Sequence, residues 1–295
     1  MPPLFANKSY WFQFCYLLLF IIVGITVFGS ISMLTGQLGI IEINYRLYLY
    51  VIQFINSFGV FFFPALLFSY CASKKWFSYS DADKTVPLPL LSYVLILSLF
   101  ILPIVICLGY FNEQITFPKS MHNIEIWMQK MEETSRMALL TLTANSTIAI
   151  LLLNIMVIAL FTALFEEFLF RGTLQPFLTK WFTNKHVAII ITAFIFSAIH
   201  FQFYGSIPRF LLGIYLGYLL LWGKSLWLPI IAHFMHNAVS LILDYGAQKR
   251  GIDLETIEPN QIKEFYPMVL FCTFCGMFCI YHLWKKSKKI ESISH

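Results

Sequence analysis

Eight times along this chain, a run of about 20 residues passes with almost no charged side chain. The runs lie at 11–34, 47–70, 88–111, 147–170, 187–204, 207–223, 226–245 and 265–284. No other feature constrains the fold as tightly. A run of that length crosses the hydrocarbon of a bilayer as a helix, and there each backbone N–H and C=O must find its partner within the segment. The expected fold is an all-α membrane protein, a bundle of about eight transmembrane helices, with residues 1–295 as a single integral membrane domain. The first run is longer than the apolar centre of a signal peptide and has no clear small-x-small cleavage site, so it reads as a span that stays.

Composition supports this. The chain is 59% hydrophobic and 12% charged, about half the charged share of a soluble domain. The net charge of +5 is modest and no basic domain is present, which excludes a nucleic-acid partner. The partners expected are the lipid bilayer and a peptide or membrane-anchored protein substrate. The cysteines, Cys15, Cys71, Cys107, Cys272, Cys275 and Cys279, fall almost entirely inside apolar runs without polar company, so they read as packing residues.

Loop charges give an orientation. With the N-terminus inside, the inner segments hold twelve Lys and Arg, Lys74 and Arg171 among them, and the outer segments hold eight, including Arg209. Both termini are expected in the cytoplasm of a multi-pass protein, and the short loops point to a bacterial plasma membrane. One connection, Asn112–Ser146, is too long for a turn. Its middle, "NIEIWMQKMEETSR", sets Ile124, Trp127, Met128 and Met131 at helical spacing between charges, which predicts one amphipathic helix on the outer interface.

Ionisable side chains at bilayer depth are costly and usually functional. Glu166 and Glu167 lie in the fourth run, His200 in the fifth, and His233, His236 and Asn237 in the seventh. Glu167 and Arg171 are i and i+4 with the acid first, the better order for a helical ion pair. They read as a structural pair that fixes a helix end. Glu166, turned about 100° away, is left as a reactive carboxylate facing His200. His233 and Asn237 share a helix face, and an imidazole N–H with an amide NH₂ can hold an acyl-transfer oxyanion.

These motifs resemble the CAAX protease and bacteriocin-processing family, also called Abi or type II CAAX prenyl endopeptidase-like proteins. The resemblance rests on "EEFLFRG" (Glu166–Gly172), "FSAIH" (Phe196–His200) and "HFMHN" (His233–Asn237), inside a family core at 147–245. It implies an intramembrane endopeptidase of eight helices. Glu166 and His200 would activate the hydrolytic water, His233 and Asn237 would form the oxyanion hole, and Glu167 and Arg171 would support them. No cofactor is expected. The alternative is zinc, with Glu166, His200, His233 and His236 as ligands, since His236 adds a His-x-x-His spacing. A non-catalytic bacteriocin-immunity or scaffold protein of the same fold is the competing reading. A transporter is further off, because paired repeats and Gly/Pro-broken helices are missing.

Overall fold

The computed structural model describes residues 3–5, 7–37, 44–73, 75–145, 147–252 and 259–293. Lys74 and Ser146 lie outside the described residues. Every long element is a helix: α1 Tyr10–Gln37, α2 Tyr45–Ala72, α3 Leu88–Glu113, α4 His122–Thr143, α5 Ile148–Phe182, α6 Lys185–Ala198, α7 Ser206–Gly223, α8 Trp227–Lys249 and α9 Pro259–Ile293. Large apolar side chains such as Trp11, Leu88, Ile148, Phe194 and Leu270 point outward, as a lipid-facing surface requires.

Six segments are long and apolar enough to cross a membrane by length and composition: α1, α2, α3, α5, Phe203–Gly223 and Lys263–Lys289. The other two expected spans are helices of a different kind. α6 has only 14 residues, because the chain leaves the helix at Ile199 and turns at Phe201, whose φ is +53°. α8 has 23 residues and carries His233, His236, Asn237 and Asp244, so it is not among the six. The amphipathic helix is α4: Met128 turns into the bundle while Ile124 and Trp127 lie outward.

α5 is one rod of 35 residues broken by two π-turns, Ile155–Phe161 and Phe170–Leu174. The second has a local cause. Pro176 has no N–H to give the carbonyl of Gly172, and a wider turn absorbs the missing bond. The helix therefore does not end near Arg171, as its spacing with Glu167 suggested. It runs on to Phe182, and Arg171 is fully buried.

α7 packs where two glycines make room. A Cβ on Gly213 would come within 3.0 Å of Ala193, and one on Gly217 within 2.8 Å of Ile189. This close approach lets α5 reach the α7 backbone: Arg171 Nη2 donates to Gly213 O at 3.0 Å and Gln175 Nε2 to Gly217 O at 3.0 Å. Phe168, Phe170, Leu174 and Phe177 of α5 form the main core with Phe68, Phe196, Leu226 and Ile230. α5, α6, α7 and α8 thus surround the residues named above.

Candidate active site

The centre of the site is a buried carboxylate shared by an arginine and a histidine. Glu167 Oε1 accepts from Arg171 Nη1 at 2.8 Å and from His233 Nδ1 at 2.8 Å, with Glu167 and Arg171 fully buried and His233 nearly so. The ion pair expected from the i, i+4 spacing is present. Its guanidinium lies 4.6 Å from the Phe196 ring, a cation–π contact that partly stands in for solvent. The same ring packs edge-on to His200 and to His233, at 5.3 and 5.8 Å between centroids. Phe196 therefore sets the pose of three polar groups at once.

Glu166 faces the other way, as its position on the helix predicts. His200 Nε2 lies 3.7 Å from Glu166 Oε1, and His233 Nε2 lies 4.0 Å from Glu166 Oε2. Three helices thus bring Glu166, His200 and His233 together around one point. Asn237, one turn beyond His233, lines the same cavity, whose volume is about 460 Å³. His236 lines it too, and its Nδ1 is buried without a hydrogen-bond partner. The ring reaches the cavity because α8 faces that space over a wider arc than one row of residues.

Hydrogen-bond partners decide which nitrogens carry protons. His200 Nδ1 lies 2.7 Å from the carbonyl oxygen of Phe196, which only accepts. His233 Nδ1 meets a carboxylate, which also accepts. Each Nδ1 therefore bears a hydrogen, and each Nε2 faces the Glu166 carboxylate. This modifies the reading of His233 as a neutral donor to the cavity. With its hydrogen on Nδ1, Nε2 donates only when the ring is an imidazolium.

Among the described residues, no group of three or more His, Cys, Asp or Glu side chains is arranged to hold a metal ion. The set Glu166, His200, His233 and His236 does not form such a shell, and no step below is routed through a metal. The cysteines are free thiols.

Three features escaped the sequence reading. Gly213 and Gly217 are one helical turn apart, a small-x-x-x-small spacing that signals close helix approach. Gln202 and Arg209 lie in the cavity wall, although Arg209 had been counted among outer loop charges. A second, apolar cavity of about 410 Å³ adjoins the first and shares Gln202 with it. Trp127, Met128, Phe194, Phe201 and Phe210 line it. Burial pushes the Glu132 carboxyl of α4 above the ordinary range, opposed by the charge of Arg209 and a hydrogen bond from the Tyr204 backbone.

Compared with known protein families, residues 148–239 match the type II CAAX prenyl endopeptidase Rce1-like family. This segment is similar to the Rce1-like domain. The matched segment begins with the first residue of α5 and ends in α8 just past Asn237, so it holds Glu166, Glu167, Arg171, His200, His233 and Asn237. Comparison with curated proteins and with solved structures finds no match in either. The likeness is to a family of CAAX prenyl endopeptidases, and the long apolar helices make the protein an integral membrane one.

Proposed function

We propose that the protein hydrolyses a peptide bond of a membrane-associated peptide or protein, with Glu166 as general base and no metal. The observation that carries this reading is the convergence of His200 Nε2 and His233 Nε2 on the Glu166 carboxylate at the wall of one cavity. Glu166, with His200 beside it, takes a proton from water as the oxygen attacks the scissile carbonyl carbon. The carbonyl π bond becomes an oxyanion. Asn237 Nδ2 and the protonated Nε2 of His233 donate to that oxyanion. Glu167 and Arg171 hold His233 in place. The proton on Glu166 passes to the leaving nitrogen as the C–N bond breaks, restoring the carboxylate. The adjoining apolar cavity fits an apolar group carried by the substrate, such as a prenyl chain.

The test is cleavage of a fluorescence-quenched farnesylated peptide by the purified protein, with Glu166→Gln as control. Turnover by the wild type, absent in Glu166→Gln at an unchanged melting temperature, is expected. Full activity in Glu166→Gln would remove the glutamate from the mechanism. Loss of one oxyanion donor costs about 10²–10³ in rate, so His233→Ala and Asn237→Ala should each be severe. His236→Ala should be mild, and chelators should have no specific effect. Stoichiometric zinc in the active protein, lost together with activity in His236→Ala, would overturn the metal-free reading.

A further inference from the structure

Arg209 is a cation in the wall of the candidate catalytic cavity, and among the described residues no carboxylate is in ion-pair contact with it. It stands in the first turn of α7, half-buried, and lines the same space as Glu166, His200 and Asn237. Nη1 donates to the carbonyl oxygen of Gln202 at 3.2 Å, and Nη2 donates to Gln202 Oε1 at 2.8 Å. Both partners are neutral, so Gln202 aims the guanidinium without neutralising it. Among the described residues no carboxylate forms an ion pair with it. The acids that act on it at longer range are Glu132 and Glu166, and Glu166 is already faced by two imidazoles.

The support behind Arg209 is fixed. Asn112 of α3 donates to Phe203 O at 3.0 Å and accepts from Ile207 N at 2.8 Å. Ser197 Oγ donates to Ser206 O at 2.7 Å. The loop that carries Gln202 is thereby tied to the start of α7. A Cβ at Gly205 would lie 3.2 Å from Arg209 Nη2, so glycine leaves the head group its room. A half-buried guanidinium lacking an acid is unfavourable until one arrives, and its planar fork matches a carboxylate with two parallel N–H···O bonds.

We propose that Arg209 binds a carboxylate of the peptide substrate, and so selects peptides that carry one close to the scissile bond. The word substrate rests on the hydrolytic reading above; the binding itself does not. The carboxylate is either the C-terminus of the peptide or an acidic side chain near the cleaved bond. A cavity of about 460 Å³ holding both Arg209 and Glu166 keeps the two events within a few residues.

Three probes separate the sources: a quenched farnesylated peptide with a free C-terminal carboxylate, the same peptide as its C-terminal amide, and that amide with aspartate as its last residue. Both kcat/KM in wild type and binding by anisotropy in Glu166→Gln are measured, each with and without Arg209→Met or Arg209→Lys. We expect the free acid to exceed the plain amide roughly tenfold in both readouts, the worth of a charge-assisted hydrogen bond. A preference for the aspartyl amide alone assigns the site to a side chain, a preference for the free acid alone assigns it to the terminus, and a preference for both shows that Arg209 takes either carboxylate. In Arg209→Met the acid-to-amide ratio should fall to about one, and in Arg209→Lys to an intermediate value. If Arg209→Met melts early, the ratio in Arg209→Lys decides. A ratio unchanged by both substitutions, or wild type that treats all three peptides alike, overturns the proposal. Failure of hydrolysis with the acid preference in binding intact would instead sink the protease reading and leave the anchor standing.

Discussion

At the scale of single residues, the site turns on one oxygen atom, Oε1 of Glu167, which receives both Arg171 and His233. Removing its charge strands a buried guanidinium, and breaking such a pair costs about 3–5 kcal/mol. Glu167→Gln should therefore lower the melting temperature by on the order of 10 °C and cut turnover as well, since His233 loses the acceptor that holds its ring in place. Thermal melts in detergent beside the peptide assay check this, and a Glu167→Gln protein of normal stability would show the pair to be dispensable. Glu166→Gln should keep the wild-type melting temperature, because its carboxylate has no cation within 3 Å to strand. The acids and imidazoles were legible in the sequence, because charge at bilayer depth is rare. The imidazole tautomers were not, because they depend on which acceptor Nδ1 meets, and for His233 that acceptor is 66 positions away. Arg209 was illegible for a related reason: a charge beside a short apolar run looks like loop until the loop is seen to line a cavity.

Among the elements, α1 and α2 show how close helices can come. A Cβ on Gly24 would fall on the carbonyl oxygen of Gly59, and one on Gly59 would fall on the Phe28 side chain. Gly24→Leu must push the two helices apart, an overpacking cost of about 1–3 kcal/mol, and its melting temperature should drop while the acid-to-amide preference of the folded fraction stays the same. An unchanged melting temperature would show that the contact bears no strain. Run length in the sequence located every long helix except α4, which helical spacing revealed, because hydrophobic runs need only composition. It did not reveal their ends. α5 passes through Arg171 because the ion pair, the Phe196 ring and the Gly213 carbonyl together replace water, and all three lie on other turns or other helices.

For the molecule as a whole, the loop charges change meaning once burial is known. Arg171 is inside the bundle and Arg209 lines the cavity, so the inner count falls from twelve to eleven and the outer from eight to seven. The excess still favours termini inside, with α4 outside. The cavity is lined by Leu139 of α4 together with Gln202, Gly205 and Arg209, so it reaches the α4 end of the bundle. A cysteine at Lys130 should then react with a membrane-impermeant maleimide in intact cells. Reaction only after permeabilisation would invert the molecule and put that end of the cavity on the cytoplasmic side.

α6 has 14 residues, and at 1.5 Å each it is about 21 Å long, against about 30 Å of hydrocarbon. Lipid packed beside it at full thickness would cover the backbone of Ile199–Gln202, so a thinner leaflet is expected there. That would bring headgroup water several ångströms closer to His200, just past the end of this stub. On the hydrolytic reading, so short a helix would make the supply of water depend on the lipid. In nanodiscs of increasing acyl length, turnover should fall while detergent-measured kcat stays fixed. A rate indifferent to acyl length would mean that water reaches the site by a route within the protein alone.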